Sequence, residues 1–439
     1  MACKLPASET LGAWQPVAHT LAHWRHEGLE AARSYWTGVA RSVCLATDGA
    51  LTGCSLELDR RLAAAPGPRI LVDGIWFSRP PGGITRVWEQ VLQCWALPGL
   101  LTPQAPLRLI DRDSHLALTA RLDSVPALAV DPLDIEAVVG LDGDNLSHAR
   151  TWEATAFLSS WISTCARPAE GKPVPELALV HDCLPERSTM PPALAQQRRR
   201  WLLGSSRQLA VSAATAQDLE GLLRLPPGKV PWCHSTADPV FPATVEAPAA
   251  HRLWTALRDK AGLRPPFVLL PATSVIGSYK NPELVAAALE GLPELQLVVC
   301  GVGAGQRSTE LVEAFPALDG RCVGVGFTEL ELALAYRHAL AVVLPSRVEG
   351  FGLPAVEALA AAGRLIVADA RGLREAAAEA GLRVDPDQPR QLQALLALLL
   401  HPPSRDWLDP RLERRRQARL QRCCPDLLGL ALLACARNL

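Results

Sequence analysis

Two glutamates stand eight positions apart around a Gly-Phe-Gly turn in the stretch PSRVEGFGLPAVEALAAAG, residues 345–363. LAVVLPS reads as a strand, RVEGFG as a turn, and LPAVEALAAAG as a helix with Pro354 in its first turn and Gly363 at its end. Gly350 and Gly352 let the backbone approach a ligand. The N–H groups of the opening turn, together with the helix dipole, suit a phosphate or sugar oxygens. Glu349 then lies in the loop, and Glu357 about one helical turn in, on the same side. A carboxylate accepts two hydrogen bonds in fixed geometry, which suits the vicinal hydroxyls of a sugar or ribose. A helix whose glutamates only match its dipole has the same pattern, so this stretch alone leaves both readings open.

Further polar residues follow other strands. Only five lysines stand against 39 arginines, and Lys280 is placed with Asn281 between the strand FVLLPA and the helix PELVAAALEGL. An ammonium there could meet a diphosphate and stabilise it as it leaves; a surface lysine is the plainer alternative. RILVDGIWFSRPPGGITRVWEQ carries Gly82 and Gly83 between a strand and its helix, with Arg86 one turn in, a backbone-approach loop beside a cation. ELALVHDCLPE ends its strand on His181 and Asp182, and the polar residues clustered at that edge favour a site histidine over a core one. LAVSAATAQDL places Ser212 and Thr215 similarly, where a helix cap is the alternative.

The elements that must position these residues are legible as a pattern. From Phe267 onward, FVLLPA, QLVVCG, RCVGVGF, AVVLPS, RLIVAD and GLRVDP are strand-length apolar runs separated by Ala- and Leu-rich helical segments. Strands apolar on both faces, alternating with helices, predict a parallel sheet covered on both sides, hence a doubly wound α/β domain. The same alternation, less regular, predicts a second parallel sheet over about residues 68–240. In such sheets ligands bind beyond the carboxyl ends of the strands, where all these polar residues fall. The Pro- and Ala-rich 238–250 reads as the hinge. Residues 1–66 read as a helical extension of no legible role. RLERRRQARLQRCC, 411–424, reads as a basic helix, with a solvated face and peripheral contact with an anionic membrane as its two readings.

Composition bounds the function. A chain of 439 residues exceeds what one hydrophobic core usually supports, so two domains are expected. A net charge of −1 gives no bulk attraction to nucleic acid, and no nucleic-acid partner is expected. Twelve cysteines without a C-x-x-C pair or zinc spacing predict reduced thiols in the cytoplasm. Glu9, His19, His23, Arg25 and Glu27 interrupt any apolar run near the start that could act as a signal core or span.

Taken together, PSRVEGFGLPAVEALAAAG, YKNPELVAAAL, LALVHDCLPE, AVSAATAQDL and GGITRV resemble the family-4 glycosyltransferases over about residues 68–400. The first stretch looks like that family's E-x7-E signature. The resemblance implies a retaining sugar-nucleotide enzyme of GT-B architecture, two facing Rossmann-like domains with a cleft between them. The domains are expected at 67–243, acceptor-side and completed by a helix over 411–439, and at 244–405, nucleotide-sugar-binding. It implies that Glu349 contacts the transferred sugar, with Gly350 and the amides of Phe351, Gly352 and Leu353 around that sugar and the diphosphate. It further implies that Glu357 binds the ribose, that Lys280 neutralises the leaving diphosphate beside Asn281, and that His181 approaches the donor sugar. The Gly82–Gly83 loop, with Arg86, would lie near phosphate and acceptor. No cofactor or metal is implied beyond the nucleotide-sugar co-substrate, and the acceptor would be a glycan, a lipid-linked or another hydroxyl in glycan or polysaccharide biosynthesis. Such an enzyme would be cytoplasmic, or peripheral at the inner membrane face. The chain departs from the pattern in lacking an arginine shortly before Lys280, where Tyr279 stands; Arg86 or Arg347 could supply the charge, and a catalytically impaired sugar-nucleotide or glycan-binding relative is the alternative. Glycan phosphorylases, which need pyridoxal phosphate, and nucleotide-sugar epimerases share the two-domain design, but the epimerases have no reason to carry the E-x7-E context.

Overall fold

The computed structural model describes residues 68–95, 107–112, 125–165, 174–185, 190–271, 275–420 and 427–437. The extension expected over 1–66 lies outside the described residues. Two sheets carry the fold. The first comprises β1 (Ile70–Asp73), β2 (Leu107–Asp111), β3 (Ala127–Ala129), β4 (Ala156–Ser159), β5 (Glu176–Val180) and β6 (Arg207–Ala210), in the order β3-β2-β1-β4-β5-β6. The second comprises β7 (Phe267–Pro271), β8 (Gln296–Cys300), β9 (Cys322–Val325), β10 (Ala341–Leu344), β11 (Leu365–Ala368) and β12 (Leu382–Val384), in the order β12-β11-β10-β7-β8-β9. Every ladder is parallel. Counted from its own first strand, each sheet has the Rossmann order 3-2-1-4-5-6, so each is doubly wound as the sequence predicts.

The central strands are buried on both faces, which is why their sequences run apolar rather than alternating. Helices cover the second sheet with Leu284, Val285 and Leu289 on one helix and Leu392, Leu396 and Leu399 on another, all in one buried cluster with the strand residues Val268, Leu297 and Val343. Helix ends follow local chemistry. Thr328 and Glu331 form a reciprocal capping box ahead of Glu329–His338. Ser212 accepts from the Thr215 N–H at 2.9 Å and so caps Ala213–Leu223.

The chain divides into two compact units, the second running Thr236–Cys423 and the first taking in the residues before it and the C-terminal segment from Cys424. Two stretches behave otherwise than their composition suggests. The segment read as a hinge contains the helix Val240–Glu246 inside the second unit, with Phe241 fully buried and its ring 5.9 Å from that of Tyr336. The basic stretch belongs to the helix Pro402–Leu420, also in the second unit, where Arg411, Arg414 and Arg415 are exposed as a solvated face requires but two arginines turn inward. Arg416 donates to the Leu359 carbonyl at 3.0 Å and Arg419, buried, to that of Ala376 at 3.0 Å. An arginine run scores as solvated, but the guanidinium fork can cap carbonyls at a helix end while its stem packs. The first unit instead receives the helix Leu427–Arg437, on which the Gly429 carbonyl accepts from Trp95 Nε1 at 2.8 Å.

The carboxyl edge of the first sheet is closed by a buried ion pair. Asp73, last in β1, accepts from Arg112 Nε at 2.6 Å; both side chains are essentially inaccessible. Arg112 also donates to Asp144 at 2.8 Å and to Asn145 Oδ1 at 2.8 Å, while Ser163 and Asn145 donate to Asp73. Removing one partner would leave the other charge buried without compensation. Asp73→Ala is therefore expected to cost about 3–5 kcal/mol of stability, read from urea denaturation followed by circular dichroism.

Candidate active site

In the second sheet the strand order reverses between β7 and β10, neighbours whose chains leave in opposite directions. A crevice forms at such a reversal, beyond the carboxyl ends. The loop after β7 carries Lys280 and Asn281, and the loop after β10 carries Arg347 and Glu349. The two loops are bonded to each other. The Arg347 N–H donates to the Tyr279 carbonyl at 2.8 Å. Lys280 Nζ lies 2.6 Å from Glu349 Oε1, with the side chains 27 % and 15 % exposed.

Asn281 is the fastening point. It adopts a left-handed conformation, φ 57°, which asparagine tolerates better than most residues. Its buried amide nitrogen donates to the Pro345 carbonyl at 3.2 Å and to the Pro386 carbonyl at 2.8 Å, and its Oδ1 accepts from Arg347 at 3.2 Å. Arg347 also pairs with Asp387. The Asn281 amide thus ties the loops after β7, β10 and β12, and it is turned to the chain rather than outward.

The Gly-Phe-Gly turn follows from close packing. Gly352 has φ 102°, outside the range that residues with a Cβ readily adopt, and leads into the helix Leu353–Ala360 without a side-chain cap. A Cβ on Gly372 would overlap the carbonyls of Glu349 and Gly350, so the helix Arg371–Ala377 reaches the turn only because that position is glycine. Phe351 and Leu353 are buried. Glu357 lies one turn into the helix, 1 % exposed, and accepts from the Tyr336 hydroxyl at 3.2 Å.

In the first unit, Gly82 and Gly83 open the helix Gly83–Trp95, with free space where either Cβ would project. The Gly82 N–H is held by Thr85 Oγ1 at 3.1 Å, and the Arg86 N–H donates to the Gly82 carbonyl at 3.1 Å. His181 follows β5 directly, and its Nε2 is shielded from solvent without a hydrogen-bond partner among the described residues. Burial, with the nearby Arg198 guanidinium, pushes its pKa down to about 3.

The structure thus joins Glu349, Lys280 and Asn281 at one strand reversal, sets Glu357 within the adjoining helix, and carries His181, Gly82, Gly83 and Arg86 on the other unit. Tyr336 and Gly372 are absent from the sequence reading. Tyr336 carries the one hydroxyl in the helical run ELELALAYRHAL, a visible signal without a stated partner. Among the described residues no three or more His, Cys, Asp or Glu side chains gather as a metal site, and no helix is long and apolar enough to cross a membrane.

Residues 256–419 match the family model described as glycosyl transferases group 1. The second unit carries a group 1 glycosyltransferase domain. Over 205 residues the chain is 33 % identical to a D-inositol 3-phosphate glycosyltransferase of Xylanimonas cellulosilytica, covering 44 % of this chain and 48 % of that protein. Over 168 residues it is 34 % identical to a glycogen synthase of Methylocella silvestris, covering 36 % and 33 %. The chain spans about half the length, or less, of these curated relatives. The crystal structure of Anabaena Alr3699/HepE in complex with UDP-glucose superposes with a TM-score of 0.60 at 16 % identity, over 80 % of this chain and 94 % of that one. At that identity the likeness is one of fold, and it extends beyond residues 256–419 to take in both Rossmann-like sheets of the GT-B fold.

A pKa near 3 keeps the His181 imidazole neutral through the physiological range. Its folded value lies below the unfolded 6.5, so on acidification the unfolded chain takes up the proton first, and stability is lost as pH falls from 6.5 towards 3. The His181 ring resonances are expected not to titrate between pH 5 and 8 in NMR spectra, and His181→Gln to flatten the acid side of the stability profile. Titration with a midpoint near 6.5 would contradict the assignment.

Proposed function

We propose that the chain is a retaining, metal-independent glycosyltransferase that moves a hexosyl-type group from a nucleotide-diphosphate sugar to an acceptor hydroxyl, in glycan or polysaccharide biosynthesis. The observation that carries this reading is the meeting of the Lys280 ammonium and the Glu349 carboxylate at the β7/β10 reversal, beside a helix that begins without a side-chain cap, inside a group 1 domain. The N–H groups of a helix start and an ammonium suit a diphosphate, and a carboxylate suits sugar hydroxyls.

In this reading Lys280 and the amides of Phe351, Gly352 and Leu353 stabilise the charge that develops on the β-phosphate as the anomeric C–O bond breaks. The departing phosphate oxygen takes the acceptor's proton as the new glycosidic bond forms on the same face. Glu349 orients the transferred sugar. Glu357 grips the ribose, and Tyr336 sets the angle of that carboxylate. His181, neutral, hydrogen-bonds a hydroxyl of the donor sugar, and the Gly82–Gly83 loop with Arg86 serves phosphate and acceptor. Asn281 acts as a positioning residue, because its amide is spent on Pro345, Pro386 and Arg347. The activity is assigned to the cytoplasm or the inner membrane face.

A sugar-nucleotide-binding protein without transfer is the second reading, favoured by the Lys280 charge being paired with Glu349. Transfer to any acceptor rules it out. A thermal-shift panel of UDP, GDP and ADP with their sugars identifies the donor, since a ligand of the native state raises the melting temperature. With that donor, Lys280→Ala is expected to lower turnover about 10²- to 10³-fold while changing donor affinity less. Glu357→Gln is expected to weaken nucleotide binding about tenfold by isothermal titration, and unchanged affinity would remove the ribose assignment.

A further inference from the structure

The cation and the anion that a donor would engage are bonded to each other. Lys280 Nζ and Glu349 Oε1 stand 2.6 Å apart, and the ammonium also lies 5.3 Å from the centroid of the Tyr279 ring. Their loops are fixed by the Tyr279–Arg347 backbone bond and by the Asn281 amide, so neither charge can simply swing away with its backbone. Both side chains are mostly buried, and such a pair is screened far less by salt than an exposed one. An anion that approaches Lys280 therefore meets Glu349 as well.

Two ligands relieve that conflict differently. A nucleotide sugar brings hydroxyls that can donate to the Glu349 carboxylate while Lys280 turns to phosphate, and both charges end with partners. A free nucleoside diphosphate brings no sugar. Its terminal phosphate also carries further negative charge near neutral pH. Glu349 is then left largely buried, deprived of its cation, and next to a like charge, and each of these conditions costs binding free energy.

Resting on the glycosyltransferase reading, we propose that Glu349 is the residue by which the site selects a nucleotide sugar over a free nucleoside diphosphate, and by which it releases the diphosphate product. Selectivity here arises from a penalty on the wrong ligand as much as from contacts to the right one. Removing the carboxylate's charge should therefore strengthen binding of one ligand while weakening that of the other, which a residue that only supports the fold would not do.

The experiment is isothermal titration of the full chain, as wild type, Glu349→Gln, Lys280→Met and the double variant, with UDP, GDP, ADP and the three glucose nucleotides. Glu349→Gln is expected to bind the nucleoside diphosphate of the preferred base about tenfold tighter than wild type, and the glucose nucleotide more weakly. In the Lys280→Met background that gain should disappear, because no ammonium is left to be released. Glu349→Ala, checked by circular dichroism, repeats the comparison if the Gln variant does not fold. A diphosphate affinity no higher in the Glu349 variants, in a wild type that does bind glucose nucleotide, overturns this inference alone. A wild type that binds none of the six ligands overturns the glycosyltransferase reading and the inference with it.

Discussion

One primary amide fastens the ends of three strands. Asn281 donates twice and accepts once, and through those bonds the chain leaving β7 is held to the chains leaving β10 and β12. No other common side chain except glutamine offers two donors and an acceptor on one planar group, and asparagine is also the better suited of the two to the left-handed backbone found here. What depends on this is the registry of the Lys280 loop with the Glu349 loop. The distance between two charges fixed on different loops is set by how those loops are joined, and here the join lies one residue from the lysine.

The two sheets share a strand order yet treat their carboxyl edges in opposite ways. In the first, Asp73 and Arg112 are sealed from solvent and surrounded by Asp144, Asn145 and Ser163, so their charges hold four segments together and have no access to a ligand. In the second, Lys280 and Glu349 keep part of their surface in water. Burial separates a charge pair that belongs to the fold from one that can exchange its partner, since only the pair that keeps some surface in water can be rehydrated or re-bonded without opening the core.

Much of the architecture was legible because parallel strands covered on both faces have no polar face to disguise them. FVLLP and LIVA are apolar throughout, QLVVC is apolar after its first residue, and the alternation with helices implied the winding. The candidate site was legible where glycine and charge meet at strand ends, as at Glu349 and Lys280. What escaped was whatever depends on partners far away in sequence. Asn281 reads as a ligand contact beside Lys280, whereas its bonds are to Pro345 and Pro386, 64 and 105 positions distant. The Tyr336 hydroxyl on Glu357, and the glycine at 372 that admits a helix beneath the Glu349 carbonyl, are relations of the same kind. The helix Val240–Glu246 was hidden by the prolines around it, although Phe241 has a full socket against Tyr336.

The helix Leu427–Arg437 lies almost at the other end of the chain from the helix Gly83–Trp95 that it packs against, with the whole second unit between them. During synthesis from the amino end, the first unit can form its sheet early, but its outer layer over Cys94 and Trp95 stays incomplete until residues 427–437 have emerged. The second unit, by contrast, is continuous in sequence and can close as soon as it emerges. The unit begun earlier is therefore completed only after the second unit has been made, with an apolar surface open to solvent or to a chaperone until then.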